Sequence, residues 1–83
     1  MAGNPRQLAV YTPATYVIRV GGVLDMSWSE RLGGLQITTF MAGGYRVTEL
    51  AGRLADQAAL QGVLALLYEL GLPLLSVAYV PEL

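Results

Sequence analysis

The sequence predicts an α+β domain, one antiparallel sheet with a single main helix laid on one face. Three observations carry that expectation. Leu60, Val63, Leu64, Leu67 and Leu70 recur at helical spacing and form one apolar stripe. Tyr16 to Val20 and Leu35 to Met41 alternate with the period of a half-buried strand. Ala42-Gly43-Gly44 is a turn signal, so the second of those strands and Tyr45 to Leu54 should form a hairpin.

The elements follow in chain order. Met1 to Pro13 carries Pro5 and Pro13 and little pattern, and is expected to be a flexible arm, with Leu8 to Tyr11 a candidate edge strand. The single α+β domain is expected to run from residue 14 to residue 83. The first strand puts Tyr16, Ile18 and Val20 on one face and Val17 and Arg19 on the other. Asp25 to Leu35 is irregular. Ser27 or Asp25 can cap a short helical turn carrying Trp28, Glu30, Arg31 and Leu32, which Gly33-Gly34 closes. The next strand sets Leu35, Ile37 and Thr39 against Gln36, Thr38 and Phe40.

In the third strand Tyr45 and Val47 keep the period but Leu50 breaks phase, which a bulge near Thr48 or Glu49 would repair. Arg19, Arg46, Glu49 and Arg53 are then candidates for cross-strand pairs on the open face. Asp56 suits the N-cap of the main helix, about residues 57–70; Gly71 suits its left-handed end, and Pro73 cannot continue it. Leu74 to Val80 is apolar on both faces except Ser76. It reads as a strand buried on both sides, or one with a helix on one side and another subunit on the other. With the short turn as a crossover, the order is that of a ferredoxin-like sandwich, β-short α-β-β-α-β. If Val23 to Gly34 is only a loop, the first three strands become a meander and the last can lie parallel to the first.

Composition narrows the chemistry. The 83 residues contain no Cys and no His, which removes disulfides, thiolate and imidazole ligands and an imidazole base, so no metal site and no cofactor is expected. Only 13% of residues are charged while 54% are hydrophobic, and the net charge is −1. So weak a field gives nucleic acid no purchase. A domain this small buries about 60% of its unfolded surface. An apolar surplus on that scale predicts that part of the surface is covered by another copy of the chain, as a dimer or higher homo-oligomer. Gly62 to Val80 holds a single acid, Glu69, and approaches spanning length, but the stripe is one-sided and Gly71-Leu72-Pro73 breaks it, so no membrane span is expected. The N-terminus lacks the basic and apolar regions of a signal peptide, which points to a cytoplasmic protein.

The pattern Gly22-x-Leu24-Asp25, Trp28-Ser29, Gly34-Leu35, Gly52, Asp56-Gln57-Ala58-Ala59-Leu60-x-Gly62-x-Leu64 and Leu70-Gly71-Leu72-x-Leu74-x-Ser76-Val77 resembles a family of short uncharacterised bacterial proteins. It runs from Tyr16 to Val77. The chain departs from that family in lacking an aromatic pair near Arg31-Leu32 and a His at Gln61. The resemblance implies a shared fold and no activity, and it draws the eye to Trp28, Asp56 and Gln57.

No catalytic constellation is visible. Asp25 with Glu30, or Glu49 with Asp56, are carboxylates that nothing in the spacing brings together. Gly21-Gly22 follows a strand, but the acids of DMSWSE stand where a phosphate would sit. The leading expectation is therefore a non-catalytic homo-oligomeric module whose interface includes Leu75, Val77 and Tyr79. The alternative is a small-molecule site at a subunit interface, lined by Trp28, Arg31, Asp25 and Tyr16, with Asp56 and Gln57 as a polar pair at the helix N-terminus. Plainer roles compete at each position: a lone Trp more often covers a core, and Asp56 more often caps a helix.

Overall fold

The computed structural model describes residues 9–81. The elements are β1 (Ala14–Gly21), a 3₁₀ segment (Met26–Leu32), β2 (Gln36–Ala42), β3 (Tyr45–Leu54), α1 (Gln57–Glu69) and β4 (Leu74–Val80). The strands form one sheet in the order β2-β3-β1-β4, and every neighbouring pair is antiparallel. The α+β class is thus met: a four-stranded antiparallel sheet and one main helix. Because β1 and β2 both oppose β3, they run parallel to each other with β3 between them. The chain from Gly22 to Leu35 therefore crosses the sheet, and the meander is excluded.

The core lies between α1, the 3₁₀ segment and one sheet face. Leu60, Val63 and Leu67 of the helix cluster with Ile18 and Val20 of β1, Ile37 of β2, Leu50 and Leu54 of β3, and Leu24, Leu32 and Leu35 of the crossover. The stripe read from spacing is the buried one; Leu64 and Leu70 flank it, half-buried. Asp56 caps α1, its Oδ1 accepting from Ala59 N–H at 2.8 Å. Replacing Asp56 with Ala should cost about 0.5–2 kcal/mol in a urea titration.

The crossover is 3₁₀ rather than α. Its residues, MSWSERL, include two serines that compete for backbone bonds, and it is short. Asp25 Oδ1 accepts from Ser27 N–H at 3.0 Å, and Ser29 Oγ donates to Leu35 O at 2.6 Å, so the segment is tied at both ends. Gly33 ends it at φ 71°, where an added Cβ would stand 2.7 Å from Leu54 Cδ2. Gly33→Ala combines a left-handed strain with that collision and should lower stability by about 1–3 kcal/mol, read as a shifted urea midpoint. The hairpin closes at Ala42 and Tyr45 through Gly43 and Gly44, both at positive φ (57° and 83°), as a two-residue turn matched to strand twist requires.

Several expectations are corrected. β3 has no bulge near Thr48 or Glu49: its register against β1 and β2 is continuous. Instead Thr48, not Val47, shares the helix-side face with Leu50, and a polar residue at a core position disguised the alternation. Thr48 is wholly buried; its Oγ1 donates to Gly22 O at 2.7 Å and accepts from Leu24 N–H at 3.2 Å. Unbroken alternation also puts Arg46 on the opposite face from Arg19, Glu49 and Arg53, so it does not join their open-face group. There Arg19 Nε meets Glu49 Oε1 at 3.0 Å, and its guanidinium lies 5.5 Å from the ring centre of Phe40, linking β1, β3 and β2. Residues 9–12 form a turn closed by Thr12 N–H to Ala9 O at 3.0 Å, not a strand, and Leu8 lies outside the described residues. Finally, β4 is not buried on both sides. All seven of its residues are exposed, and it forms one outer edge of the sheet.

Candidate functional site

The feature that stands out is β4. Pro73 and Pro81 bracket it, and no charged residue lies between Leu74 and Val80. One edge pairs with β1; the other faces outward. Exposed edges in soluble proteins are usually blunted by Lys, Pro or a covering element. Here the strand instead exposes Leu74, Leu75, Val77, Tyr79 and Val80, each at 37–56%.

The strand contains the bulge of the sheet. Arg19 opposes Ser76 and Val20 opposes Leu74, so Leu75 is the inserted residue. Val77 opposes Ile18 and Tyr79 opposes Tyr16, which places both on the helix-side face. The Tyr16 and Tyr79 rings meet edge to face, centroids 6.2 Å apart. Leu75 leaves that group: it lines a cavity with Gly21, Val47 and Pro73. The sequence reading put Leu75, Val77 and Tyr79 in one interface; the bulge takes Leu75 out of the alternation that Val77 and Tyr79 share.

The four residues read as a ligand site do not line one cavity. Trp28 packs its ring against the core, and the Arg31 guanidinium lies 5.2 Å from the ring centre. With Ser27 they border a shallow space of about 310 Å³. Asp25 caps the 3₁₀ segment. Tyr16 lines a different cavity, of about 410 Å³, with Tyr79, Gln57, Val10 and Thr12. That grouping draws Tyr16, Gln57 and Tyr79 from three separate lines of sequence reasoning. It depends on β1 lying beside β4, which no local signal reveals. Gln57 N–H donates to Val10 O at 2.7 Å, holding residues 9–12 over the start of α1. Asp56 spends its carboxylate on the helix cap, so the polar pair is divided between two tasks.

Among the described residues, no three Asp or Glu side chains gather into a possible metal-binding group, and no helix is long and apolar enough to cross a membrane. No curated protein and no solved structure matches the chain. Residues 15–78, from the first strand through most of β4, match a domain of unknown function, DUF8691, and the chain belongs to that family.

Proposed function

We propose that this protein is a non-catalytic homo-oligomeric module, a dimer built by pairing β4 of one copy with β4 of another across a two-fold axis. The observation that carries the reading is the outward edge of β4, exposed along its whole length, uncharged and apolar on both faces. Two such edges paired antiparallel satisfy each other's free N–H and C=O groups and bury the exposed Leu, Val and Tyr side chains. Edge strand β2 suits this role less well: Gln36, Thr38 and Thr39 interrupt it, and Ile37 is already buried.

A ferredoxin-like sandwich belongs to the same proposal. Read from the other edge, the strand order is β4-β1-β3-β2, which two interlocked strand-crossover-strand units produce, with the 3₁₀ segment in place of the first helix. In this fold an open β4 edge turns two four-stranded sheets into one continuous sheet. The role is cytoplasmic and needs no cofactor, consistent with the absence of Cys and His.

Size-exclusion chromatography with light scattering at micromolar concentration tests the assembly. The expected mass is about twice the 8.9 kDa of one chain. A single chain at every concentration tried would sink the reading.

A further inference from the structure

We propose that the cavity between the Tyr16 and Tyr79 rings and the start of α1 binds a small uncharged aromatic molecule that carries a hydrogen-bonding group, such as an aromatic amide. The cavity is built within one chain, so the inference does not rest on self-association.

Sheet register sets two of its walls. Tyr16 of β1 and Tyr79 of β4 oppose each other on the helix-side face. Their ring planes stand at 62° with centroids 6.2 Å apart, so the two rings form a corner. The turn at residues 9–12 supplies a third side. Ala9 N–H donates to Thr12 Oγ1 at 3.0 Å, which fixes the turn on itself, and Gln57 N–H donates to Val10 O at 2.7 Å, which fixes it to the helix. Ala14, also in the lining, is too small to fill the space between them. The volume left, about 410 Å³, falls within the range common for ligand sites.

The chemistry of the lining selects the ligand. No charged residue belongs to it, and Asp56, next to Gln57, keeps its carboxylate on the helix cap. An ion entering this space would shed water and meet no counter-charge. Thr12, Tyr16, Gln57 and Tyr79 instead bring neutral groups, each able to donate and to accept. Among the described residues, the Gln57 amide and both tyrosine hydroxyls have no hydrogen-bond partner. A flat ring set in a tyrosine corner also gains an offset or edge-to-face contact that a saturated ring of equal size does not.

The test is a titration with benzamide, followed in amide ¹H–¹⁵N spectra, beside four analogues that each change one property. Benzoate and benzylamine are charged, cyclohexanecarboxamide is saturated, and toluene lacks the hydrogen-bonding group. Saturable benzamide shifts are expected at Thr12, Tyr16, Gln57 and Tyr79. The charged pair should bind at least about tenfold more weakly, toluene roughly fivefold, and cyclohexanecarboxamide about three- to tenfold. Tyr79→Leu removes one ring and keeps an apolar side chain. It should weaken benzamide by that last factor and leave cyclohexanecarboxamide unchanged, a split that general loss of structure does not produce. Light scattering on the same samples reads the assembly separately, and binding is expected whether the mass is that of one chain or of two. No saturable benzamide shift at these amides, any of the four analogues binding as tightly as benzamide, or a Tyr79→Leu protein that loses both carboxamides equally overturns the proposal.

Discussion

Val77→Lys should turn the assembly into single chains. Val77 is the middle residue of β4, and a two-fold axis through the centre of a β4–β4 pair sets it opposite its own copy. The substitution then removes two apolar side chains from the interface, about 3 kcal/mol together, and places two like charges face to face. The first term alone weakens association roughly a hundredfold. The folded monomer should tolerate the change, because Val77 is 39% exposed on an outer strand, and a lysine is a common guard at such edges. Thr38→Lys on β2, the opposite edge, is the control and should leave the mass unaltered. If Thr38→Lys dissociates the protein while Val77→Lys does not, the wrong edge has been assigned.

The second large effect is on stability. Thr48→Val keeps the shape of the side chain and deletes a buried hydroxyl that serves Gly22 O and Leu24 N–H. Two main-chain groups lose their side-chain partner where the chain leaves β1 for the crossover. At about 1–3 kcal/mol per stranded group, the loss should reach roughly 2–4 kcal/mol. In a domain of this size that lowers Tm by roughly 10–20 °C. Thr48→Ser keeps the hydroxyl and drops only a methyl, so it should fall in between, about 1 kcal/mol below the parent. All three must be compared at one protein concentration, because self-association adds its own concentration-dependent stabilisation. A Thr48→Val protein as stable as the parent would show that the hydroxyl does not hold the crossover.

These two positions also show what the sequence could and could not reveal. Helix α1, the Asp56 cap, the Gly43-Gly44 hairpin and the core face of β1 were legible because each follows from local chemistry and a repeating spacing. Thr48 was not, since a hydroxyl at a core position looks like a phase error until its two partners, more than twenty residues away in the chain, are known. β4 was legible as a strand, and of the two surroundings its apolar faces allowed, burial on both sides by its own chain is not the one found. Apolar residues on both faces signal that something covers a strand, but not whether the cover is the same chain. Within one chain the four residues of the ligand-site reading do not meet in one cavity, for a related reason. Trp28 and Arg31 sit three apart, a spacing that eclipses side chains in a 3₁₀ turn and explains their contact. Tyr16 joins Tyr79 and Gln57 only through sheet order, a long-range property that spacing does not encode.

The Arg19 guanidinium, tied to Glu49 and resting on Phe40, has a bearing on how the sheet chooses its alignment. A one-residue slip of β2 along β3 would send Phe40 through to the opposite side, and a slip of β3 along β1 would do the same to Glu49. Either mistake strips this cation of a companion. The side chain thus acts as a register key for three strands at once, penalising the near-miss sheets that main-chain hydrogen bonding by itself would accept.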